Sequence, residues 1–72
     1  MMSIDRAEIK RAICRNLPTA TGREAGHIYL LIIHTAREER VSTRDVLNET
    51  TSRAWRSMLR NERARARAGW CG

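Results

Sequence analysis

Seventy-two residues make one domain at most, and a chain of this length buries so little apolar surface that a second subunit is expected to complete its stability. Apolar residues at 42% and charged ones at 31% exclude a disordered chain, and the longest apolar run, Ile28 to Ile33, is far below the ~20 residues of a bilayer span. The formal charge of +6 rests on fourteen basic residues of which only Lys10 is a lysine, and it favours polyanions such as DNA, RNA, an acidic protein face or anionic lipid.

The spacing predicts an all-α chain, a small four-helix domain over residues 1–72 with no internal repeat. The first helix, over 5–17, opens on "IDRAEI", where Asp5 caps, Glu8 completes a capping box and Ile4 staples onto Ile9. Ile9, Ala12, Ile13 and Leu17 share one face until Pro18 ends the run. Asp5, Arg6, Glu8 and Lys10 leave no signal-peptide apolar region, so a cytoplasmic protein is expected. Cys14 stands in no metal-ligand spacing with Cys71, and their pairing is left open.

The second helix, over 22–38, opens on the box Thr21 and Glu24. Ala25, Ile28, Tyr29, Ile32, Ile33 and Ala36 form a broad apolar face with Arg23, His27, His34 and Glu38 opposite. Leu30 and Leu31 flank that face and are the candidates for a homodimer contact. His27 and His34 lie two turns apart, a spacing of solvated histidines rather than of zinc ligands, and no metal or cofactor is implied. "VSTRDV" starts a short third helix over 43–49, with Ser42 and Asp45 as a further box and Val41 stapled onto Val46. "NETTS" restarts the chain, Thr50 or Thr51 caps the fourth helix over 51–68, and Gly69 stops it.

The fourth helix holds the strongest pattern. Trp55, Leu59, Ala66 and Trp70 fall within a narrow arc with Met58 at its edge, while Arg53, Arg56, Arg60, Arg63 and Arg67 fill a second arc about 110° away. A surface charge stripe is ordinarily a solvated face. Here Glu62 is the only acid in the helix and lies on the apolar side, so like charges three and four apart repel with little to discharge them. An outside anion is the expected compensation.

The segment "VSTRDVLNETTSRAWRSMLR", residues 41–60, resembles the helix-turn-helix of bacterial and phage DNA-binding regulators, with Glu49 and Thr50 where that family often carries a turn glycine. The resemblance implies a C-terminal helix-turn-helix without a wing, since only "GWCG" follows the last helix. Val46 and Leu47 would pack on Trp55, Met58 and Leu59, and the last helix would enter the major groove of double-stranded DNA. Ser52, Arg53, Arg56, Ser57 and Arg60 are then the base-reading positions, with Thr51, Arg44, Arg63 and Arg67 near phosphates. The function so implied is that of a phage- or mobile-element-type transcriptional regulator.

Two other readings compete. "RNERARARAGW" also resembles the arginine-rich RNA-binding peptides of phage antiterminators, with Trp70 as the stacking residue. A very short basic chain also suits an inhibitor that covers a host protein or nucleoprotein. No enzyme is expected, because no paired carboxylates, nucleophile motif or phosphate-cradling glycine loop occurs, and Cys14, though near Arg11 and Arg15, is a lone helical cysteine of the kind that is more often structural or inert.

Overall fold

The computed structural model describes residues 6–69. Four helices follow one another: α1 Arg6–Asn16, α2 Gly22–Glu39, α3 Thr43–Glu49 and α4 Ser52–Gly69, with no strand among the described residues. The expected helices are thus present with ends shifted by a residue. Asp5, Ile4, Trp70 and Cys71 lie outside the described residues, and with them the first cap, its staple, the stacking tryptophan and any bridge to Cys14, which is exposed.

Local chemistry explains most of the boundaries. Pro18 has no N–H to continue α1, and the chain leaves it through a turn closed by Ala20 N–H on the Leu17 carbonyl at 3.1 Å. Thr21 caps α2 reciprocally: its Oγ1 accepts from Glu24 N–H at 3.2 Å while Glu24 Oε1 accepts from Thr21 N–H at 2.9 Å. Ser42 Oγ accepts from Asp45 N–H at 3.1 Å to start α3, and Thr51 Oγ1 accepts from Ala54 N–H at 3.1 Å to start α4. The turn between α3 and α4 is closed by Thr50, whose N–H and hydroxyl both donate to the Val46 carbonyl, at 3.1 and 2.6 Å. Thr50 stays extended at φ −77° and ψ 113°, so this turn needs no glycine.

The end of α2 is different. Arg40 adopts the left-handed conformation at φ 56° and ψ 42°, and Val41 N–H reaches back to the Ala36 carbonyl at 3.0 Å. This is the helix-ending loop that ordinarily employs glycine. Nothing local in "REERV" signals it.

The core is drawn from all four helices. Ile9, Ile13 and Leu17 face Ile28, Ile32 and Ala36, and Val46, Trp55 and Leu59 complete a cluster with no buried polar side chain among the described residues. α1, α3 and α4 each pack on α2, α1 also packs on α3, and the main support of α4 is α2 rather than α3. Beyond Leu59 no described residue of α4 is buried, so Ala66 does not join the core that its place in the apolar arc suggested. No helix among the described residues is long and apolar enough to cross a membrane.

Two substitutions test this packing. Trp55→Ala should cost about 3–5 kcal/mol, enough to unfold most of a domain this small, as read by urea denaturation. Arg40→Gly should instead stabilise the chain by about 1 kcal/mol, because it relieves the left-handed arginine. A neutral result at Arg40 would show that its side chain compensates for the backbone.

Candidate nucleic-acid interface

α4 is held in two ways along its length. Trp55 and Leu59 bury its first half in the core. Its second half is tied by polar contacts to α2 and to the loop before it. Arg63 Nε donates to Glu24 Oε2 at 3.0 Å, and its Nη2 reaches Glu24 Oε1 at 3.4 Å and the Thr19 carbonyl at 3.2 Å. Beside it, Glu62 Oε1 meets His27 Nδ1. Both ties join residues more than thirty positions apart, which no local pattern could announce.

These ties divide the arginine stripe. Arg53, Arg56 and Arg60 are exposed at steps of three and four and form no ion pair with any described residue. Ser52 and Ser57 lie exposed on the same half of the helix. Arg63 belongs to the stripe by position but is committed to Glu24 of α2, a pairing between helices that the spacing within α4 does not announce. Arg56, Arg60, Arg63 and Arg67 together line an open concavity of about 370 Å³ with Leu59 and Ala64.

The remaining proposed contacts have structural roles of their own. Arg44 forks onto Glu8, Nε to Oε1 at 3.2 Å and Nη2 to Oε2 at 3.4 Å, and so straps α3 to α1. The Thr51 hydroxyl is the cap of α4. Leu30 and Leu31 are exposed, at 62% and 45%, as large apolar side chains with no cover. His34 is exposed beside Glu38 at 3.5 Å, and no cluster of three or more metal-ligating side chains occurs among the described residues.

Electrostatically, the start of α4 is unusual. Its first turn carries no acid, so Arg53 adds positive charge where the helix dipole is already positive. That arrangement destabilises the isolated helix and attracts anions. At the other end of the site Glu24 is held below the usual carboxylate range, first by the Arg63 guanidinium and then by the Thr21 N–H.

No family model matches the chain, and no curated protein and no solved structure matches it either.

Glu24 ionises more readily folded than unfolded. Its contribution is accordingly complete above the ordinary glutamate pKa of about 4.3 and fades as pH falls through the lowered folded value. Glu24→Gln and Arg63→Ala should each make the acid side of the stability profile shallower, measured by urea unfolding at successive pH values. An acid limb unchanged in both would remove the clamp as a source of pH dependence.

Proposed function

We propose that this chain is a small DNA-binding protein that lays the first half of α4 against double-stranded DNA, and that it serves as a transcriptional regulator of the phage or mobile-element type. The observation that carries the reading is the set Arg53, Arg56 and Arg60: exposed, without ion pairs to described residues, and built on the half of α4 that Trp55 and Leu59 anchor. A rigid helix with outward guanidinium groups suits the major groove, where one bidentate arginine on guanine is worth about 1–3 kcal/mol of discrimination. Arg67 lies further along the same face, and Arg44 and Arg63 would join only by giving up their glutamates.

Burial of Trp55, at 2% exposure, favours duplex over single strands, because it leaves that face without a tryptophan on which an unpaired base could stack. The RNA-binding reading needs Trp70 for this purpose. A second reading, an inhibitor that presses on a host protein, draws on a different observation, the exposed pair Leu30 and Leu31.

Anisotropy of labelled duplex DNA and of a labelled RNA hairpin, titrated across salt concentrations, distinguishes these readings. The duplex should bind more tightly, and replacing Arg53, Arg56 and Arg60 by alanine should lower the slope of log affinity against log salt by about 0.9 for each phosphate that is no longer neutralised. Helicity by circular dichroism should stay unchanged, since none of the three is buried. Tighter hairpin binding would move the function to RNA, and no binding to either polymer at low salt would move it to a protein partner.

A further inference from the structure

Between α2 and the second half of α4 runs an open groove of about 900 Å³. Leu30 and Leu31, the only large apolar side chains exposed among the described residues, stand on its α2 wall, and Met58 and Ala66 stand on its α4 wall. Its ionic lining mixes Arg23 and Arg65 with Glu24 and Glu62, the two acids being engaged by Arg63 and His27. This face is therefore less uniformly basic than the Arg53, Arg56 and Arg60 stripe, so it draws a polyanion less and opposes a second copy of the same basic chain less.

The α2 wall has a further property. His27, Leu30, Leu31 and His34 all line the groove, and this stripe reads the same in both directions about the midpoint between the two leucines. A symmetric pair of identical subunits requires a surface that is its own complement across a two-fold axis. With α2 antiparallel to α2, leucines cover leucines at the axis and His27 of one copy faces His34 of the other. A foreign partner imposes no such palindrome.

We infer that a second copy of this chain docks in the α2–α4 groove, α2 crossing α2 in antiparallel sense on an axis between Leu30 and Leu31. The inference goes beyond duplex binding and does not depend on it. Covering two adjacent leucines on each copy removes from water the apolar surface that the monomer leaves open, which offsets the small core of a chain this short.

Sedimentation of the whole chain without nucleic acid should give twice the 8.3 kDa chain mass. Leu30→Glu with Leu31→Glu should give the single-chain mass at unchanged helicity, because both side chains lie outside the core. Geometry is tested by cysteine cross-linking with Cys14 and Cys71 replaced by serine. Leu31→Cys, next to the axis, should oxidise to a linked dimer, whereas Glu38→Cys should not, since antiparallel copies set it about 22 Å from itself along α2. A wild-type monomer, a dimer that survives the two glutamates, or equal linking at 31 and 38 would each overturn the inference. Because no nucleic acid is present, failure here leaves duplex binding by α4 to stand or fall on its own titration.

Discussion

The row Ile28, Ile32 and Ala36 along α2 is the surface on which the molecule is assembled. α1, α3 and α4 pack on this helix, and each fully buried large aliphatic side chain there contributes about 1.5–3 kcal/mol relative to exposure. With nine buried residues in the cluster among the described residues, little surplus is left over the entropy of ordering the chain. The consequence is a division of labour. Apolar contacts define where the helices meet, and ion pairs at the margin hold what those contacts do not reach.

α4 shows the division most plainly. Trp55 and Leu59 fasten its first half, and after them the helix runs on with every described side chain outside the core. Glu62 on His27 and Arg63 on Glu24 keep this second part alongside α2. Exposed guanidinium groups on the first part sit on a backbone that cannot yield without disturbing the core, whereas those on the second part ride on a segment held by solvent-accessible contacts. The first part is the rigid stretch of α4, and the second is the stretch that yields more easily.

Helix number, order and bounds were legible in the chain because the signals for them are local. Thr21 with Glu24 forms the full reciprocal box, while Ser42 before Asp45 and Thr51 before Ala54 each supply the capping hydroxyl, Ser42 without the return bond that a box with Asp45 requires. The buried face of α2 was legible for the same reason, since one periodicity generates it. Arg63 was not, because its place in the stripe is identical in kind to that of Arg60 and only a glutamate 39 residues earlier separates their roles. Ala66 misled in the opposite way: periodicity places it with Trp55 and Leu59, but it stands exposed on the wall of the open groove between α2 and α4. Arg40 carries the left-handed turn that glycine would have advertised. What one helix does alone is written in its own spacing, and what two helices do together depends on where each of them stops.

The interior buries no polar side chain among the described residues. An aliphatic core of this kind accepts exchange among Ile, Leu, Val and Met as long as volume and pattern persist, and so places few demands on residue identity. Its helix starts accept Ser, Thr, Asp or Asn alike. The exposed side chains of α4 can likewise change while the scaffold beneath them stays in place.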